Sequence, residues 1–127
     1  MASLQRLPIR DESPPPDDWL VLRGGSSSHT ALRPKIRRSI ELFGVPLVSV
    51  VVIESTHLER ALKSRVLAGY KVVTGSTVHE VTAAGFRLIP TFSRPHYSVE
   101  LPDGSEMSLG RFIDNLTIRM ENPFHER

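Results

Sequence analysis

The chain has 127 residues, a formal net charge of +2 and no cysteine. Such a length makes one domain that buries roughly 60% of its unfolded surface without a staple, and the missing thiols exclude a disulfide framework, a cysteine nucleophile and a Cys-ligated metal site. No run of about 18 apolar residues occurs and the opening MASLQRLPIRDESPPP lacks the apolar core of a secretory signal, so a soluble cytoplasmic protein without membrane contact is expected.

Residues 1–18 read as an extended proline-rich arm, because consecutive prolines fix φ and remove backbone donors. The arm is net acidic, with Arg6 and Arg10 set against Asp11, Glu12, Asp17 and Asp18. A single α/β domain is expected over 19–120, followed by a polar tail over 121–127 that frays. Trp19–Leu22 reads as a first strand, halted by Gly24-Gly25. Leu32, Ile36, Ile40 and Phe43 then recur at helical spacing, with Ser28 or Thr30 able to cap the start and Gly44 the end. Pro34 fits only if it falls in the first turn.

Leu47–Ile53, LVSVVVI, is the most apolar run and reads as a central strand covered on both faces. Thr56 with Glu59 has capping-box spacing and opens a second helix to about Leu67, with Leu58, Leu62 and Val66 inward. Tyr70–Thr74 is a third strand. Thr77 with Glu80 repeats the box for a short helix ended by Gly85, and Phe86–Ile89 is a fourth strand. From Arg94 to Leu101 residues alternate with the period of a pleated strand, before Pro102-Asp103-Gly104 turns the chain. Met107, Leu109, Phe112, Ile113 and Leu116 suit a last helix, whereas Leu116, Ile118 and Met120 alternate as a strand would. The fold class is thus α/β or α+β, a mixed sheet of about five strands with three to four helices.

Two constellations carry candidate chemistry. At the first strand's end, Arg23, Gly24, Gly25 and Ser26 feed a helix start, where glycines admit close approach, amides face an anion and a guanidinium grips phosphate. A connecting turn whose serines compete to cap the helix has the same composition. The Walker and Gly-x-Gly-x-x-Gly patterns are absent. On the later strand, Arg94, His96, Ser98 and Glu100 share one face, so His96 and Glu100 could divide acid–base work while Arg94 stabilises developing charge. The wet side of a half-buried sheet has this pattern too. A third feature is the basic helix face of Arg33, Lys35, Arg37 and Arg38, suited to a phosphate partner or simply to solvent. The remaining histidines show no metal-ligand spacing, so no metal site is expected.

LRGG (Leu22–Gly25) together with PTFSRPHYSVELPDG (Pro90–Gly104) resembles a group of small uncharacterised actinobacterial proteins, over most of residues 19–124. That resemblance implies no activity. A looser similarity runs to ADP-ribosyltransferase-type toxins, in which an Arg-Gly at a first strand end helps to bind NAD. Leu22-Arg23-Gly24 stands in that place, Val48-Ser49-Val50 where those enzymes carry Ser-Thr-Ser, and Glu100 as a lone acidic residue. This resemblance implies NAD as substrate and no bound cofactor.

Three functions are compatible with these residues. One is a toxin-type enzyme acting on a phosphate-containing substrate, RNA or NAD. Another is a non-catalytic protein that contacts a protein or nucleic-acid partner. The third is a nucleotide-binding module without turnover.

Overall fold

A computed structural model of the chain describes residues 3–125; Met1 and Ala2 of the arm and Glu126 and Arg127 of the tail lie outside the described residues. Six strands, β1 (Leu20–Gly24), β2 (Leu47–Ile53), β3 (Val72–Thr77), β4 (Arg87–Ile89), β5 (His96–Glu100) and β6 (Ile118–Glu121), form one sheet in the order β4-β5-β2-β1-β3-β6. Four helices accompany them: α1 (His29–Phe43), α2 (Leu58–Lys63), α3 (Val78–Ala83) and α4 (Glu106–Asn115). The domain is therefore α/β in content, as expected. Its sheet, however, is antiparallel at every pairing rather than mixed. Hydrophobic periodicity gives an element's type and buried face but not its direction, so the sequence pattern left direction open.

Helix α1 begins where Ser28 accepts the Ala31 amide and ends at Gly44, whose φ of 78° suits a residue without a Cβ. Pro34 sits beyond its first turn. The carbonyl it cannot bond belongs to Thr30, which is exposed and can turn to water. Ser39, buried within α1, donates to the Val45 carbonyl and accepts the Leu47 amide, tying the helix to the start of β2. The Thr77–Glu80 capping box is present at α3. The one at Thr56–Glu59 is not. There the chain makes a 3-10 turn, Ser55–His57, and α2 is only six residues long, so Val66 falls outside it and is exposed. The last segment resolves into both forms, α4 and then β6.

The two faces of the sheet bury unequal cores. Val21, Val48, Val50, Val52, Tyr97 and Val99 pack beneath α1, α3 and α4 with Leu32, Val81, Leu109 and Phe112. On the other face Leu22, Val51, Ile53 and Val73 pack with Ala61, Leu62 and Leu67 from α2 and the turn after it. The tail also contributes: Asn122 is buried, donates to the Leu62 and Leu67 carbonyls, and anchors the chain beyond β6. Among the described residues no helix is long and apolar enough to cross a membrane.

Phe112 is fully buried and meets Phe86 edge-to-face at 5.7 Å between ring centroids. Truncation to Ala should cost about 3–5 kcal/mol, the usual range for an aromatic deleted from a packed core. Urea unfolding of Phe112→Ala reads this directly; a loss below about 1 kcal/mol would mean that the α4 layer is not part of the cooperative core.

Candidate functional site

Strand β1 pairs with β2 over three residues only, from Leu20↔Ile53 to Leu22↔Val51. It continues alongside β3 to Gly24↔Val73, while β2 continues alongside β5 to Leu47↔Glu100. The sheet thus forks, and a cavity of about 430 Å³ opens between the separating strands. Arg23 shares its face with Val21, on the side of α1, whose Lys35 and Arg38 line the same space. Ser49, Tyr70 and His96 line it from the opposite face. An unbroken sheet would keep these two groups apart.

Arg23 is 7% exposed, and all its hydrogen bonds come from Nη1: to the Ser26 carbonyl at 2.8 Å, the Ser27 hydroxyl at 3.2 Å and, longer, the Gly24 carbonyl. Every acceptor is neutral. No carboxylate pairs with Arg23 among the described residues, and burial alone pushes its pKa down. Every sealed side-chain polar atom among those residues does have a hydrogen-bond partner, so Nε and Nη2, which make no hydrogen bond, keep some accessible surface on a residue that lines the cleft. A buried guanidinium without a counter-charge is costly unless an anion completes it. Lys35 likewise has no ion-pair partner among the described residues; Arg38 leans on Glu41 at 3.5 Å at the surface.

The Gly24-Gly25 segment is flat against Tyr70. A Cβ on Gly24 would stand 2.2 Å from the Tyr70 ring, and one on Gly25 3.0 Å away. The ring therefore lies against backbone, yet Tyr70 stays 41% exposed and lines the cavity. The loop's groups are partly engaged within the fold. The Gly25 amide is spent on the Val72 carbonyl, Ser28 caps α1, and Gly25 and Ser26 do not line the cavity.

His96 reaches the cleft from the first residue of β5, opposite Val51. Its Nδ1 lies 2.8 Å from the Thr91 hydroxyl and 3.2 Å from the Thr91 carbonyl, and the same hydroxyl meets Ser98 at 2.8 Å. With its proton on Nδ1 the ring can donate to the Thr91 carbonyl, which only accepts, and Nε2 then keeps its lone pair. Burial, more than any other cause, lowers the ring's pKa below 6.5, so it is neutral at pH 7. Thr91 and Ser98 are buried, which removes Ser98 from any wet face.

The other two members of that predicted face are elsewhere. Arg94 precedes β5, across a cis peptide to Pro95, and donates to Glu12 of the arm at 2.9 Å. Glu100 is at the far end of the strand, 3.5 Å from Arg87. Alternation placed the four residues along a line but could not register that its ends have other partners. Sequence reasoning missed Tyr70 and Thr91 as parts of the site, and reached Ser49 only through the toxin resemblance. The double glycine was the one signal that a bulky group comes close; nothing in the sequence said which.

No group of three or more metal-ligating side chains exists among the described residues. No protein-family model matches the chain, and no curated protein or solved structure does.

Glu12 also accepts from the Tyr97 hydroxyl and from Arg10, and these donors, Arg10 first, hold its carboxyl down at about 2. A free Glu12 titrates near 4.5, so its contribution to docking the arm is complete above that pH and is lost as pH falls from 4.5 toward 2. The Phe92 amide, bonded to the Pro8 carbonyl, reports docking by NMR. Its resonance should move over that window in the wild type and show no such step in Glu12→Gln. An identical step in both proteins would refute this assignment.

Proposed function

We propose that the β1/β2 fork binds a nucleoside phosphate. The phosphate meets Arg23, Lys35 and Arg38, the base lies on the exposed face of Tyr70, and a sugar hydroxyl faces Nε2 of His96. The observation that carries this reading is Arg23, a buried cation with no carboxylate partner that lines a cavity together with two further cations and no carboxylate. The cavity lies within the roughly 300–1,000 Å³ of small-ligand sites. An aromatic face beside it favours a ligand with a base over a bare phosphate.

NAD is supported as one such ligand by the two segments that resemble ADP-ribosyltransferase-type toxins, since Arg23-Gly24 and Ser49 flank the same fork. A catalytic reading has its own support. A neutral imidazole with a free Nε2 is a competent general base toward a hydroxyl near a phosphate held by Arg23. Arg94 and Glu100 are engaged elsewhere, so the general-base role in the cleft rests on His96.

Pyrophosphate, AMP and NAD should each raise the thermal midpoint and give saturable heats in calorimetry. Losing charge-assisted hydrogen bonds of about 1.5–3 kcal/mol should weaken binding roughly tenfold or more in Arg23→Gln. Lys35→Ala/Arg38→Ala, at exposed positions that spare the fold, should weaken it as well. Wild-type protein indifferent to all three ligands at millimolar concentration would end the reading. A further expectation concerns pH: protonating His96 adds a cation, so toward acid pH below 6.5 pyrophosphate should bind the wild type more tightly relative to His96→Ala, which cancels the ligand's own protonation. If the fork is also catalytic, His96→Ala should lower RNA cleavage or NAD turnover about 100-fold while leaving binding at pH 7 in place.

A further inference from the structure

The arm reaches the fork through one side chain. Arg10 donates from Nη1 to three carbonyls of the segment that leads into β5: Thr91 at 2.6 Å, His96 at 2.9 Å and Phe92 at 3.2 Å. Its Nε and Nη2 take the two oxygens of Glu12, and its guanidinium lies 5.1 Å from the centre of the Tyr97 ring. Backbone bonds from the Arg10 amide to Pro90 and from the Phe92 amide to Pro8 flank this contact. Phe92 is held at a φ of 57°, uncommon for a residue with a Cβ, and its ring meets the His96 imidazole edge-on at 5.1 Å.

The Thr91 carbonyl is shared. It receives Arg10 on one side and His96 Nδ1 on the other. We propose that Arg10 is a positioning residue for His96: by gathering the Thr91, Phe92 and His96 carbonyls it fixes the imidazole's orientation and its Nδ1–H tautomer, so that Nε2 faces the cleft. That Nε2 acts there rests on the reading given above. Arg10 is also the cation whose field opposes protonation of the ring. The other charges on surrounding elements are Glu12 of the arm, neutralised by Arg10 and Arg94, and Arg23, Lys35 and Arg38 lining the same cleft.

The test follows the His96 ring by NMR in the wild type, Arg10→Gln and Arg10→Lys, alongside pyrophosphate affinity as a function of pH. The wild type should show one tautomer and a titration below 6.5. In Arg10→Gln the midpoint should rise, both tautomers should appear, and the pH at which pyrophosphate binding strengthens should rise in step. Arg10→Lys restores the charge but cannot span three carbonyls and Glu12 together, so the midpoint should return while the tautomers stay mixed. A folded Arg10→Gln with wild-type midpoint and tautomer would reduce Arg10 to a structural tie and overturn the proposal. Should Arg10→Gln not fold, a single tautomer in Arg10→Lys does the same. If the ring responds as expected but pyrophosphate affinity is flat with pH in all three proteins, the positioning role stands and the role of His96 in the cleft falls.

Discussion

The unequal reach of β1's two pairings governs much of the molecule. Three residue pairs join it to β2 and five to β3, so the centre of the sheet separates at one end. A central strand that loses a partner leaves backbone groups and the faces of its neighbours uncovered, and something else has to occupy that space. Here Arg23 comes from one side and His96 from the other. The Tyr70 ring, seated on Gly24-Gly25, closes the end of β1 against further pairing; a side chain on Gly24 would displace it. The glycines thus serve ring–backbone contact rather than anion contact.

Polar groups near the fork are satisfied in different ways, and the difference separates support from site. The line from Ser98 through Thr91 to His96 Nδ1 is closed, each member bonded to the next in a dry environment. Such a chain is rigid because opening any link leaves a buried polar atom without a partner. Arg23 differs, with one nitrogen occupied and two that make no hydrogen bond. The first arrangement holds a side chain still. The second leaves a charge without a counter-charge among the described residues.

Much of the scaffold was legible because its signals are local. Ser28 and Gly44 bracket α1, Thr77 and Glu80 cap α3, and the alternation through β5 placed Tyr97 and Val99 in the core. At Thr56 the same local signal misled, because a 3-10 turn took the place where the box would have formed. The site was only half legible. Arg23 and His96 were chosen for their chemistry, and the fold brings both to one cavity, but their companions arrive from Tyr70, Lys35 and Thr91, which no spacing connects. Arg94 and Glu100 have the right chemistry and the right parity. What diverts them is charge in distant segments, Glu12 and Arg87, and a period-two pattern carries no such information.

The arm's docking bears on the order in which the chain acquires structure. Its side-chain partners Thr91, Arg94 and Tyr97 follow it by more than eighty residues, so during synthesis only the Gln5 contact with Leu42 can form early. β2 likewise waits for β5 to cover its second edge, and the Leu62–Leu67 turn waits for Asn122. Contacts this remote in sequence close large loops and make assembly slow and late. Three prolines and a run of acidic side chains suit a segment that must stay extended and unpaired in the meantime. The composition that makes the arm a poor helix and a poor strand thereby keeps it available for the last step of folding.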